Sequence, residues 1–81
     1  MTSTKNTIKL HEAIAIILLN LPGRRASFDT IATEIEKRNL FPNRAGNIPL
    51  AKQIKLRSAI KSSRYLNTWF EIASNTEIRL I

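Results

Sequence analysis

The alternation of apolar and polar residues near the C-terminal end is the feature that most constrains the fold of this chain. Phe70 and Ile72 alternate with Trp69 and Glu71. The same period of two recurs over residues 77–81, where Ile78 and Leu80 alternate with the other residues. A period of two is typical of strands, so two strands joined by a turn are predicted. Because an isolated hairpin is not stable in water, the rest of this 81-residue chain has to provide elements that pack against it.

The two faces of these strands predict their register. A loop of odd length centred on Asn75 places Glu71 opposite Arg79, an attractive pair on the outer face. A two-residue turn would instead place Glu71 beside Ile78. The odd loop is therefore predicted, and its inner pairs are Phe70 with Leu80 and Ile72 with Ile78.

Three helices are predicted ahead of the hairpin. The first covers about residues 10–20 and ends at Leu21-Pro22-Gly23, because proline and glycine both break helices. Ile16 and Leu19 lie opposite its main apolar face, and a helix that is apolar all round should be covered on more than one side. The main face consists of Leu10, Ala13, Ile14, Ile17 and Leu21.

The second helix has clear signals for its start and its end. Ser27 is a good N-cap. Asn39 is predicted to be the left-handed residue after the helix, and Leu40 the hydrophobic contact that follows it. Glu34 and Arg38 have the spacing of an ion pair on one helix face. The apolar stripe is Phe28, Ile31, Ala32 and Ile35.

The third helix is predicted to start at Pro49, a favoured first position, and to run to about residue 62. It contains no acidic residue, which is unusual for an ordinary solvated helix. Gln53 and Arg57 fall towards its apolar side, and Arg57 is interpreted as structural, with its stem packed, rather than as a base contact. The apolar side is Leu50, Ile54, Leu56 and Ile60, and the outward side is Lys52, Lys55, Ala59 and Ser62.

The order of these elements predicts the fold class. A possible short strand at residues 25–27 lies between the first two helices. Helix, strand, helix, helix and hairpin is the chain order of a winged helix-turn-helix, an α+β fold of three helices and a small antiparallel sheet with a C-terminal β-hairpin. Residues 1–7 are expected to form a flexible N-terminal tail and residues 8–81 the winged-helix domain.

Several short segments carry a family resemblance: Glu12-Ala13-Ile14, Ser27-Phe28-Asp29-Thr30-Ile31, Glu34-Ile35, Asn39-Leu40-Phe41, Ile48-Pro49, Arg64-Tyr65 and the Phe70…Ile78-Arg79-Leu80 hairpin. Through them the sequence resembles the HARE-HTH group of winged-helix domains over most of its length. These domains occur in chromatin-associated proteins, restriction endonucleases and the delta subunit of bacterial RNA polymerase. The resemblance implies an accessory role in nucleic-acid association. Here Ile48-Pro49 replaces the usual Thr-Pro, and Asn75 and Ile78 replace the glycine and the aromatic of the wing.

The charges of this chain are segregated along its length. The formal net charge is +7, and of the 13 basic residues eight lie in residues 37–70, which contain none of the six acids. A segregated positive charge favours a polyanionic partner. Nucleic acid, and double-stranded DNA in particular, is therefore the expected partner, with the third helix as the contact surface.

Lysines in such a helix attract phosphates, while Asn, Gln and Arg can read bases. The alternative is that these lysines only keep a small domain soluble. Trp69 and Tyr65 could stack on bases, although a lone tryptophan beside a hairpin is more often a core or core-edge residue. The candidate nucleic-acid contacts are Arg44, Asn47, Lys52, Lys55, Ser58, Lys61, Ser62 and Arg64.

Catalytic and cofactor signatures are not found in the sequence. The only histidine, His11, is expected at the surface or near a cap, at the polar edge of an apolar helix. No cysteine is present, and the scattered acids show no metal-ligand spacing, so no enzyme, cofactor, metal site or small-molecule substrate is expected. The apolar run over residues 13–19 is too short for a membrane helix, and a cytoplasmic location is expected.

A protein-interaction or dimerisation module is the alternative function. Its support is the second apolar face of the first helix, Ile16 and Leu19, which could exceed what a small core covers. The sheet could equally cover that face. Surplus apolar surface on the first helix would favour docking, and a continuous basic strip along the third helix would favour nucleic acid.

Overall fold

A computed structural model describes residues 8–41 and 48–81 of the chain. Within these ranges it is a small α+β domain of three helices and a three-stranded antiparallel sheet. The elements are α1 (Leu10–Leu19), a 3-10 turn (Pro22–Arg24), β1 (Arg25–Ser27), α2 (Phe28–Lys37), α3 (Leu50–Ser58), β2 (Phe70–Ile72) and β3 (Glu77–Leu80).

The sheet has the strand order β1-β3-β2, so the last strand of the chain lies in its centre. The predicted hairpin register is confirmed, because Phe70 pairs with Leu80, Glu71 with Arg79 and Ile72 with Ile78. The possible strand at residues 25–27 is confirmed as β1, which pairs with β3. The pairing of β1 with β3 thus joins residues that are distant in sequence.

The core lies between the helices and one face of the sheet. Phe70 and Ile78 supply the sheet side of this core and are fully buried. Helix α1 contacts both other helices and β3, and therefore occupies the centre of the packing. The largest fully buried apolar side chains from the helices are Ile14, Ile17, Leu18, Ile31, Ile35 and Ile54.

Helix α1 is covered on more than one side, as its apolar sequence predicts. Its start is capped by Glu12, whose carboxylate accepts a hydrogen bond of 2.8 Å from the backbone N–H of Lys9. It ends at Leu19, one residue before the predicted end. Ile16 is partly buried, whereas Leu19 is 58% exposed. Among the described residues no helix has the length and apolarity that crossing a bilayer requires.

Helix α2 begins and ends as its sequence predicts. The Ser27 hydroxyl accepts a hydrogen bond of 3.1 Å from the backbone N–H of Thr30, which confirms the N-cap. Asn39 has a φ of 52°, and the N–H of Leu40 donates to the carbonyl of Ile35 at 3.1 Å. This Schellman arrangement satisfies carbonyls that the helix end would otherwise leave unpaired.

Helix α3 is shorter than its sequence predicts. It ends at Ser58, whereas the predicted helix continued to about residue 62. The reason is a competing set of hydrogen bonds, because the Ser63 hydroxyl donates to the carbonyl of Arg57 and closes a turn there. Residues 59–69 therefore form a compact turn segment, and the prediction of a helix through residue 62 is wrong.

Replacing Ser27 with Ala should destabilise the domain by about 1 kcal/mol, because the N–H of Thr30 loses its acceptor. Urea unfolding followed by far-UV circular dichroism measures this free energy. Ser62→Ala, at an exposed turn position, is the matched control and should change it by less than about 0.5 kcal/mol. Equal effects of the two substitutions would show that the cap contributes nothing.

Candidate functional site

The buried face of α3 sets the direction of its basic side chains. Leu50, Ile54 and Ser58 are buried, and because they are four residues apart they lie on one face of the helix. That face packs against α1 and α2. Lys52 and Lys55 fall on the remaining surface and are exposed, as predicted.

The turn segment after α3, residues 59–69, is organised by its own serine and threonine. The Ser63 hydroxyl accepts a hydrogen bond of 3.2 Å from the backbone N–H of Tyr65. The Thr68 hydroxyl donates to the carbonyl of Arg64 at 2.7 Å. These bonds hold a short basic loop beside the end of α3, and its exposed members are Lys61, Ser62 and Arg64.

The structure therefore supports exposure for most, but not all, of the candidate contacts. Lys52, Lys55, Lys61, Ser62 and Arg64 are exposed on α3 and the turn segment after it. Ser58 was also predicted to contact nucleic acid, but it is buried. Arg44 and Asn47 were also predicted to contact nucleic acid, and they lie outside the described residues.

Ser58 is an internal residue of the domain. Its side chain is 0% exposed, and its hydroxyl donates to the carbonyl of Ile54 at 2.6 Å. A buried serine requires such a partner, and the carbonyl four residues back in the helix is the nearest acceptor. Ser58 is therefore a packing residue and is removed from the candidate contact surface.

The basic residues on the sheet and on α2 differ from those on α3 because they are paired. On the outer face of the sheet, Arg25 pairs with Glu77 and Arg79 with Glu71. On α2, the Glu34 carboxylate lies 3.6 Å from Nζ of Lys37 and 3.8 Å from Nη2 of Arg38. The predicted pair of Glu34 with Arg38 is therefore confirmed.

Within residues 8–41 and 48–81 no ion pair involves α3 or the turn segment after it. The basic residues there are Lys52, Lys55, Arg57, Lys61 and Arg64, and each is exposed. We call these five residues the α3 basic surface. It carries five positive charges that no carboxylate of the described residues neutralises.

An apolar depression borders the α3 basic surface. A cavity of about 190 Å³ is lined by Leu10, Ile48, Gln53, Leu56 and Arg57. Leu56 was assigned to the apolar side of the helix, but it is 42% exposed, because the buried stripe of α3 is narrow and Leu56 lies outside it. Gln53 donates to the carbonyl of Ile48 at 3.0 Å, which fixes its side chain at the start of the helix.

Three aromatic rings form a cluster where α1 begins. The rings of His11 and Tyr65 stack with their centroids 4.0 Å apart and an angle of 14° between their planes. The ring of Trp69 lies 4.7 Å from that of His11 and is nearly perpendicular to it, at 88°. His11 was expected at the surface or near a cap, and it lies in the first turn of α1 beside the capped start, but it is only 9% exposed. Local sequence carried no signal for it, since both partners lie far along the chain.

The environment of His11 disfavours its charged form. Burial is the main cause that lowers the pKa of His11 below its ordinary value of 6.5. The neighbouring Lys9 and Arg57 also lower this pKa, and Glu12 raises it. The imidazole is therefore held in the neutral form to a lower pH than an exposed histidine.

Comparison with protein-family models, with curated proteins and with solved structures finds no match to this chain. Among the described residues no three His, Asp or Glu side chains are grouped as ligands for a metal ion. The candidate site is thus defined by the charge and exposure of its own side chains.

The stability of the domain should depend on the protonation of His11. The pKa of His11 is about 6.5 in the unfolded state and lower in the folded state, so the unfolded state binds more protons in the pH window between the two pKa values. The free energy of unfolding therefore falls as the pH decreases through this window. Urea unfolding followed by circular dichroism from about pH 8 to about pH 5 measures this dependence. His11→Phe keeps a ring against Tyr65 without a titrating group.

The effect of His11 is isolated by comparing the free energy of unfolding of the wild type with that of His11→Phe at each pH. The unfolding free energy of the wild type should decrease more than that of His11→Phe as the pH falls below 6.5. Identical pH profiles for the two proteins would show that burial of His11 does not perturb its protonation.

Proposed function

We propose that this chain is a winged-helix domain that binds nucleic acid, double-stranded DNA in particular, through the α3 basic surface. In this proposal it acts as an accessory or transcription-related module without catalysis of its own. Helices α2 and α3 form the helix-turn-helix, and the β2–β3 hairpin forms the wing. The second helix of such a motif enters the major groove, and in this proposal α3 has that role.

The arrangement of the elements supports the winged-helix assignment. Helix, strand, helix, helix and hairpin follow in that order, and β1 joins the hairpin in one antiparallel sheet. The resemblance to HARE-HTH domains favours the same fold and the same class of partner. Fold alone does not define function, so the functional proposal depends on the surface.

The observation that carries the proposal is the contrast between paired and unpaired basic residues. The arginines of the sheet neutralise carboxylates of the same face, so the proposed wing is close to neutral. The exposed bases of α3 and its turn segment have no such partners among the described residues. The binding free energy of a polyanion is most favourable where positive charge is uncompensated, because each phosphate contact releases counterions.

The arrangement of the α3 basic surface also fits a duplex. Lys52 and Lys55 lie on the outward side of the helix, and Lys61 and Arg64 continue the charge beyond its end. Lysines of this kind contact phosphates and position the protein. The exposed Leu56 lies on the same helix and offers an apolar group of the type that contacts a thymine methyl.

Affinity for a mixed-sequence duplex should fall steeply with salt, by about 0.9 log units per phosphate contact for each log unit of salt. Anisotropy of a labelled duplex measures this slope. The double substitution Lys52→Ala and Lys55→Ala should reduce the slope by about 2 and weaken binding to all sequences alike, because two phosphate contacts are lost.

The matched control removes the same charge from a paired site. Lys37→Ala with Arg38→Ala takes two bases from the end of α2, where both pair with Glu34, and should leave the slope nearly unchanged. Equal slopes for all three proteins would place the contacts elsewhere. Absence of binding at low salt would refute the proposed function.

Docking of a protein partner through α1 is a second candidate function. Its support is Leu19, which is 58% exposed near the end of α1. Within α1, Ile16 is partly buried, so the exposed apolar surface of the helix is concentrated on one leucine. Isolated exposed apolar residues are common on monomeric proteins. The uncompensated basic surface is therefore the stronger of the two supports.

A further inference from the structure

The cluster of His11, Tyr65 and Trp69 has a layered geometry. His11 and Tyr65 form a stacked pair, and Trp69 lies at 4.7 Å from His11 and 6.1 Å from Tyr65. These centroid distances make an angle close to a right angle at His11. Trp69 therefore lies beside the edge of the imidazole, not on top of the stack, and it stands at the rim of the cluster.

Trp69 is exposed, and its conformation is restricted by its neighbours. It is 39% exposed, although its neighbour Phe70 is fully buried. Its backbone N–H donates to the carbonyl of Tyr65, and its carbonyl accepts from the N–H of Ile81, both at 3.0 Å. These bonds fix the backbone, and the contacts of the ring with His11, Tyr65 and Phe70 restrict its rotation, so it loses less conformational entropy than a free side chain when a flat ligand stacks on it.

Positive charge borders this ring cluster. Arg57 and Leu10 line the same cavity, and Leu10 is adjacent in the chain to His11. Arg64 precedes Tyr65 and belongs to the same turn segment, and both arginines are exposed. Neither arginine has a carboxylate partner among the described residues. An exposed aromatic ring together with such cations is the combination that single-stranded nucleic acids recognise, with bases on the ring and phosphates on the cations.

We infer that Trp69, supported by His11 and Tyr65, is a stacking site for an unpaired nucleobase, and that the protein prefers nucleic acid in which a single strand adjoins a duplex. This inference rests on the proposed function, because the duplex part is held by the α3 basic surface. The single strand leaves that surface past Arg57 and Arg64, and its base stacks on the exposed indole.

The intrinsic fluorescence of the protein tests this directly, because Trp69 is the only tryptophan in the chain. Four probes are titrated: a blunt duplex, the same duplex with an oligothymidine tail, oligothymidine alone, and inorganic polyphosphate. Tailed duplex and oligothymidine should quench the fluorescence, since a base stacked on indole quenches it. Blunt duplex and polyphosphate should bind with little quenching.

Substitution of the ring separates stacking from charge. Trp69→Ala should weaken binding of the tailed duplex by roughly 5- to 150-fold, the range that loss of one base–aromatic stack produces. Binding of the blunt duplex should change less than about twofold. Trp69→Phe keeps a smaller ring and should restore part of the affinity, which covers the case that the alanine variant folds poorly. Leu19→Ala, an exposed apolar truncation at the other end of α1, is the matched control.

The outcomes distinguish the two proposals. Equal affinity for blunt and tailed duplex, with no quenching, would overturn the stacking site and leave duplex binding intact. Quenching by polyphosphate equal to that by oligothymidine would also overturn it, because polyphosphate has no bases. Absence of binding to every probe at low salt would overturn the proposed function and the stacking site together.

Discussion

The central position of β3 in the sheet is the constraint on which the rest of the structure depends. This strand is the last element of the chain, yet it pairs with β1 on one side and β2 on the other. Its Ile78 is fully buried with Phe70 of β2, and α1 packs against it. Since the pairs between β1 and β3 and the contact of α1 with β3 join residues far apart in sequence, the helices have a fixed surface to cover only once the sheet has formed.

The sheet also determines where charge remains uncompensated. Pairing β3 with both neighbours aligns two arginines and two glutamates on its outer face, and they neutralise one another. Surface ion pairs of this kind contribute little to stability. They do, however, leave the proposed wing with a weak field. The bases of α3 have no carboxylate partner among the described residues, and the electrostatic asymmetry between these two surfaces is the basis of the proposed function.

The aromatic cluster connects the core to the proposed binding surface. His11 belongs to the buried side of α1, while Trp69 is partly exposed at the rim, and Tyr65 links them through the turn segment after α3. That turn exists because Ser63 bonds to the carbonyl of Arg57 and ends the helix early. Lys61 and Arg64 belong to the same turn segment as Tyr65, and in the proposed function this segment contributes both charge and an aromatic ring.

Much of the fold was predictable from the sequence, because the signals are local or concern one pair of strands. The Ser27 cap, the Asn39 end of α2 and the hairpin register depend on backbone hydrogen bonds and a period of two, and all three predictions are confirmed. Exposure of Lys52 and Lys55 also follows from helical period. Only the tertiary structure decided that Ser58 and His11 are buried and Leu56 is exposed, because burial depends on which distant residues lie opposite a side chain.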